Sequence, residues 1–345
     1  MKALCYHGKG DIRYEDFEDP KLASDTDVIV KMDQCAICGS DLHIYHGEGF
    51  SPDMGFCVGH EAVGTVEEVG RAVRRFDVGD PVMISAAVGC GSCPACLAGE
   101  IVKCHVQGFA CYGLGSALQG CQAEGIRVPM GDFNLRKIPE GISTEQALML
   151  TDNLPTAHVG CQRADVTPGS DVAVVGLGPI GLMAVEIVSV MGAGRVFALD
   201  LVPERRAIAE NLGAIPVDPA TATETISEAT QGRMLGSVVE CVGADASLQL
   251  SIQLAGVRGT VSSIGVNSNM QFPFPMALAL AKGLTFRMAL CSVQSHWEEL
   301  IPLVRTGRLR PEQFVSHRMS LSDGAEAYRL FDAKEDGSMK MVMSD

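Results

Sequence analysis

Short apolar runs cut by glycine and proline dominate residues 1–150. VIVKMDQCAI, GTVEEVG and PVMISAAV are of strand length and predict a mostly β domain. The texture changes after residue 153. DVAVVGLG reads as a buried strand, PIGLMAVEIVSVMGA as a helix, RVFALD as a strand and ERRAIAENLGA as a helix. SVVECVG and GTVSSIG read as two further strands. Strands alternating with helices imply βαβ units and a parallel sheet, so the fold class is α/β. The tail from 289 to 345 returns to mixed character. The pattern thus divides the chain into 1–152, 153–288 and 289–345.

Composition adds bounds rather than identity. The chain has 345 residues, 47% of them hydrophobic and 20% charged, enough to bury a large core in two domains. A net charge of −15 argues against nucleic acid or an anionic membrane as partner. The most apolar stretch, Val172 to Met191, contains Glu186 and several glycines, so it reads as strand, turn and helix rather than a membrane span. The N-terminus has no apolar core of a secretory signal. Thirteen cysteines in such a chain fit the reducing cytoplasm, where thiols serve as metal ligands or core residues.

Four of those thiols change the picture. Cys90, Cys93, Cys96 and Cys104 fall within CGSCPACLAGEIVKC, a spacing that can close a tetrahedral shell around one zinc ion. A shell with four protein ligands leaves no position for substrate, so this site is structural. The other cysteines away from the scattered set described next, Cys57 and Cys111 among them, read mainly as small buried hydrophobes.

Gly176-Leu-Gly178-Pro179-Ile180-Gly181 follows the strand DVAVV and opens a helix. In a dinucleotide site such glycines let the backbone approach a pyrophosphate. Asp200 ends the next strand, nineteen residues past Gly181, where an acid takes the ribose hydroxyls. Its charge would repel a 2′-phosphate, which favours NAD over NADP. Arg205 is placed either to reach the adenosine ribose or to remain a solvated helix residue.

Three further segments carry metal-ligand chemistry: Cys35-Ala-Ile-Cys38-Gly-Ser40-Asp41-Leu-His43, Gly59-His60-Glu61 and Thr151-Asp152-Asn153. A catalytic zinc uses three protein ligands and keeps one position open, and Cys38, His60 and an acid could make that set.

On these motifs the whole chain resembles the zinc-dependent medium-chain alcohol dehydrogenases. The family pattern of GHE, two residues, Gly, five residues, Gly, two residues and a small apolar residue is met by Gly59-His60-Glu61, Gly64, Gly70 and Val73. The resemblance implies a GroES-like β-rich catalytic domain over 1–152, completed by 289–345, and a Rossmann, doubly wound cofactor domain over 153–288. It implies Cys38, His60 and Asp152 as ligands of a catalytic zinc, with Asp152 where many members carry cysteine. Glu61 is similar to a glutamate behind the metal that can swing in to ligate it. Asp41 is similar to the acid that orients the histidine ligand. Ser40 and His43 are similar to a proton relay. Thr156 matches a threonine beside the nicotinamide, Gly265 and Val266 fall among the cofactor contacts, and Lys340 is similar to a base that reaches the pyrophosphate.

The implied activity is reversible hydride transfer between an alcohol and NAD, with two zinc ions per chain. Aspartate in the ligand set, as in secondary-alcohol members, tilts the substrate towards secondary alcohols and ketones. Polyol or threonine-type and formaldehyde dehydrogenases stay open within the family. A non-enzymatic zinc module is the alternative of another class. The resemblance also implies a homo-oligomer, tetramer before dimer. Phe56, Cys57, Phe109, Cys111, Leu114, Met288 and Trp297 are candidates for the substrate cleft or the subunit contact, and the sequence does not place them.

Overall fold

A computed structural model describes residues 1–49, 51–269 and 271–345. The chain forms two compact units, Met1–Pro155 with Cys291–Asp345, and Thr156–Leu290. The sequence pattern divides it at 152/153 and 288/289; the units divide it at 155/156 and 290/291.

The first unit is β-rich. Its strands are β1 (Lys2–Gly8), β2 (Asp11–Asp16), β3 (Val28–Ala36), β4 (Phe56–Cys57), β5 (Glu61–Val69), β6 (Pro81–Ile84), β7 (Gly125–Val128) and β8 (Leu135–Lys137). The second unit holds β9 (Asp171–Val175), β10 (Arg195–Leu199), β11 (Ile215–Val217), β12 (Leu235–Glu240), β13 (Ala255–Ser263) and β14 (Thr285–Met288). The chain then returns to the first unit with β15 (Val315–Ser320) and β16 (Lys340–Ser344).

In the first unit, among the described residues, one sheet runs β15-β16-β3-β5-β6-β8 with β7 also paired to β3, and a smaller one runs β2-β1-β4. β3 is the strand that positions the site. Its last residue, Ala36, faces Glu61 on β5 and Val342 on β16. The starts of β5 and β16 therefore converge on the end of β3. A core of Leu4, Val28, Val30, Ile37, Phe56, Val82, Ile84, Tyr328 and Met341 seals the sheets. PVMISAAV is expected as one strand, but β6 stops at Ile84. Beyond it the backbone changes partner, with Ser85 N donating to Asn134 O and Val88 N to Ala110 O.

The second unit is a wholly parallel sheet in the order β11-β10-β9-β12-β13-β14. The order reverses between β9 and β12. In open sheets of this kind, ligands bind beyond the carboxyl ends of the strands at that reversal. Val172 to Val175 are buried as the run DVAVV requires, Ala173 and Val175 in one cluster with Phe197, Val238 and Val261. Pro179 opens the following helix, Pro179–Val190, where its missing N–H costs nothing.

Candidate active site

The end of β3 delivers Cys38, and the entry to β5 delivers His60 and Glu61. Gly59 makes that entry possible. Its φ is +88°, and a Cβ there would lie 2.4 Å from Gln122 Cγ. Asp152 follows the helix Thr144–Met149, whose start is fixed by a capping box of Ser143 and Gln146. Ligand atoms of Cys38, His60, Glu61 and Asp152 all lie within 4.8 Å of one another. Cys38 Sγ is 3.5 Å from Asp152 Oδ2, and His60 Nε2 is 3.7 Å from the same oxygen. Zinc bonds of about 2.0–2.3 Å set tetrahedral ligand separations at about 3.3–3.8 Å, so the three groups fit a zinc ion.

Behind them, Asp41 Oδ1 lies 3.1 Å from His60 Nδ1, and Asp41 Oδ2 accepts from Cys38 N at 2.9 Å. Glu61 is fully buried and accepts from Asn153 Nδ2 at 2.7 Å and from Lys340 Nζ. Ser40 Oγ stands 3.4 Å from His60 Nε2. His43, partly exposed, has Nδ1 3.9 Å from a Glu48 carboxylate oxygen.

The four-cysteine lobe is a second fitted site. Cys90 and Cys96 sulfurs are 3.9 Å apart, as are those of Cys93 and Cys104. That separation is close to a tetrahedral zinc edge and excludes a disulfide. Backbone N–H groups of Cys93, His105 and Gln107 point at Cys90, Cys93 and Cys104 sulfurs. The N–H and hydroxyl of Ser92 hold the Cys90 thiol down at about 6, while burial pushes Cys96 up to about 12. Binding an ion must displace that proton.

In the second unit, Gly176 has φ +89° and lies against Val242, and a Cβ on Gly181 would sit 1.8 Å from Gly176 O. Gly178 differs, because a Cβ there meets nothing within 4 Å. The space above it is open at the N-terminus of a 12-residue helix, where a pyrophosphate fits. Asp200 accepts from Leu177 N at 2.7 Å and Val202 N at 2.8 Å, which ties the glycine loop to the end of β10. Arg205 Nη1 lies 4.0 Å from Asp200 Oδ2 with its side chain only 14% exposed, so it is not a solvated helix residue. Gly265 packs on Gly243, with a Cβ reaching 2.1 Å from Gly243 N, and Val266 O borders the same glycine. Thr156 lies on the helix Asn153–Arg163.

The alcohol dehydrogenase GroES-like domain model matches residues 24–140, and the zinc-binding dehydrogenase model matches residues 179–306. A Mycobacterium tuberculosis protein described as a probable zinc-binding alcohol dehydrogenase is 42% identical over 99% of this chain and 88% of its own length. The chain belongs to the zinc-dependent alcohol dehydrogenase family. Among solved structures, the alcohol dehydrogenase TADH from Thermus sp. ATN1 superposes with a TM-score of 0.93 at 38% identity, covering 100% of this chain and 99% of that one. A protein from Sinorhizobium meliloti 1021 described as a putative zinc-binding dehydrogenase, solved bound to NADP, superposes with a TM-score of 0.86 at 27% identity over 100% of this chain and 99% of that one.

The electrostatics suit a cation at the centre of this dehydrogenase. Burial, with the charges of Asp152 and Glu61, pushes the Cys38 thiol up. Burial pulls His60 down, but Asp41 and Asp152 outweigh it and leave the imidazole well above its ordinary value. A divalent ion reverses both tendencies, stabilising thiolate and neutral imidazole as ligands.

One sequence expectation is corrected. Lys340 is expected at the cofactor pyrophosphate, but its ammonium is fully buried and donates to Glu61 and, at 3.0 Å, to Ile37 O. Trp297 is buried, with Nε1 donating to Leu150 O at 2.9 Å. Phe56 is buried in the core of the first unit. Phe109 and Met288 are exposed. Cys111 is partly exposed, and burial, despite nearby His60, pushes its thiol up to about 12. Sequence reasoning missed Asn153, whose amide bridges Glu61 and Asp152. Its place next to Asp152 reads equally well as an ordinary helix start.

Proposed function

We propose that this dehydrogenase catalyses the reversible oxidation of a secondary alcohol to a ketone with NAD. The reading rests on one observation above all: Cys38, His60 and Asp152 converge at zinc spacing with three protein ligands, which leaves a coordination position for substrate. A zinc ion held there supplies Lewis acidity and lowers the pKa of an alcohol hydroxyl. Ser40, beside the metal face of His60, would accept the hydroxyl proton as it gives its own to the cofactor ribose, from which His43 on the adjoining helix would pass a proton to solvent. Glu61 stands behind the ligands as a carboxylate within reach of the metal. The overall reaction balances as alcohol plus NAD⁺ giving ketone, NADH and a proton.

NAD is favoured because the carboxylate of Asp200 sits at the end of β10, where it meets the adenosine ribose and repels a 2′-phosphate. Thr156, Arg205, Gly265 and Val266 complete the cofactor site in this reading. A second zinc in the four-cysteine lobe braces the first unit. Thirteen free cysteines support the reducing cytoplasm as the enzyme's location. Among the described residues, no helix is long and apolar enough to cross a membrane. Association between copies is supported by β14, an edge strand whose last residue, Met288, is 59% exposed, with Leu290 just beyond it 50% exposed; a homotetramer is the expected form.

Metal content and a panel of alcohols test the reading together. Two zinc ions per chain, one of them lost in Cys38→Ala, and fastest NADH formation with secondary alcohols are expected. One zinc per chain, kept in Cys38→Ala, with no NADH from any alcohol, would refute it.

A further inference from the structure

Gln122 is fully buried, and its segment lies directly against the residues that precede His60. Gln122 N donates to Val58 O at 3.0 Å and Cys121 N to Gly59 O at 3.0 Å. The side chain then fills the space that a Cβ on Gly59 would need. Its amide Nε2 donates to Ala36 O at 3.1 Å and faces Asp41 Oδ2 at 3.5 Å. On the other side, Tyr328 donates its hydroxyl to Gln122 Oε1 at 3.0 Å. Only this amide orientation works, since turning it over would set Oε1 against a carboxylate and a carbonyl.

We propose that Gln122 and Tyr328 are positioning residues of the metal centre: a buried hydrogen-bond chain from Tyr328 through Gln122 to Asp41 sets the carboxylate whose other oxygen lies 3.1 Å from His60 Nδ1, and so orients His60 as a zinc ligand. The proposal rests on the reading that Cys38, His60 and Asp152 hold zinc. Each link acts on the next. Tyr328, on the helix Gly324–Ala333, turns the amide so that its NH₂ faces Asp41. Gln122 and Cys38 N together hold Asp41 Oδ2, which leaves Asp41 Oδ1 for His60 Nδ1. An imidazole that gives its Nδ1–H to Asp41 presents the Nε2 lone pair to the metal. Burial keeps the Tyr328 hydroxyl protonated far above neutral pH, so it remains a donor.

The alternative is that Gln122 merely fills space against Gly59. Zinc release from the loaded, full-length enzyme to a chromogenic chelator separates the two, with unfolding midpoints measured alongside. Gln122→Met keeps length and removes the hydrogen bonds; Tyr328→Phe keeps the ring. Gln122→Met should release the catalytic zinc about tenfold faster, the lower end of what loss of an outer hydrogen-bond partner does to metal affinity. Tyr328→Phe should do the same to a smaller degree, and the double variant should be no faster than Gln122→Met. Release from the four-cysteine lobe should not change. Tyr112→Phe is the control, because Tyr112 is equally buried and, among the described residues, its hydroxyl has no hydrogen-bond partner. The absorption bands of the cobalt-substituted enzyme should shift in Gln122→Met and not in Tyr112→Phe. Wild-type release rates and cobalt bands in both Gln122→Met and Tyr328→Phe would overturn the proposal. If Gln122→Met fails to fold, Tyr328→Phe alone decides. If the wild type holds no zinc that Cys38→Ala removes, the metal reading fails first and the positioning role falls with it.

Discussion

Lys340 Nζ donates to Glu61 Oε2 inside the first unit, with both side chains wholly out of solvent. Removing one member of a buried pair leaves the other without compensation, at a cost of about 3–5 kcal/mol. Lys340→Met should therefore lower unfolding stability by about 3 kcal/mol. The double variant Lys340→Met with Glu61→Gln should recover most of that loss in urea unfolding. A double variant no more stable than Lys340→Met would mean that the lysine acts through Ile37 O or packing, not through the carboxylate.

Two of the loop glycines, Gly178 and Gly181, should separate folding from cofactor binding. Gly178→Ala meets open space, so its unfolding midpoint should match the wild type while its KM for NAD rises about tenfold or more. Gly181→Ala drives a methyl into Gly176 O, so it should lose stability even without cofactor. If Gly178→Ala binds NAD normally, the open space is not where the pyrophosphate lies.

Asp200 anchors the glycine loop and, in the proposed reading, also faces the ribose; one substitution can distinguish the two. Asp200→Gly removes the acceptor for Leu177 N and the charge facing the ribose. A charged hydrogen bond is worth about 1.5–3 kcal/mol, so KM for NAD should rise at least about tenfold. KM for NADP should fall at the same time. A parallel rise for both cofactors would show that loop anchoring, not charge, is the contribution of Asp200.

Acid should weaken the second unit through Asp171. Arg195 bonds both of its carboxylate oxygens, at 2.8 and 2.5 Å, and holds the group below the usual carboxylate range. The folded value is lower than the unfolded one, so the pair stabilises above the unfolded value and is lost as pH falls through the folded one. For a partly exposed pair the contribution is about 1 kcal/mol or less. Asp171→Asn should thus lower the urea midpoint at neutral pH, and the deficit should shrink below about pH 4. A deficit that stays constant down to the acid limit would assign the effect to something other than this pair.

What was legible in the sequence follows from how far apart the partners lie. Cys90 to Cys104 span fifteen residues and Gly176 to Gly181 six, so local spacing alone carries their chemistry. The alternation of strands and helices after residue 153 likewise specifies the parallel sheet, because each βαβ unit is local. Lys340 is different. Its partner Glu61 lies 279 residues away, and the two meet only because β16 and β5 both flank β3. Nothing near Lys340 in the sequence marks it as buried. Tyr328 and Gln122, 206 residues apart, are hidden for the same reason. PVMISAAV looks like one strand because its composition is uniform, while the change of partner after Ile84 is set by Asn134 and Ala110.

The return of the chain to its first unit also sets a clock. At about 5–20 residues per second of synthesis, Glu61 waits on the order of tens of seconds before Lys340 is made. Through that interval Cys38 and His60 already exist, while the whole cofactor unit is being produced. Asp152 is made in the same early stretch, so the ligand set precedes its support: the buried cation beside Glu61 is the last part of this centre to be synthesised.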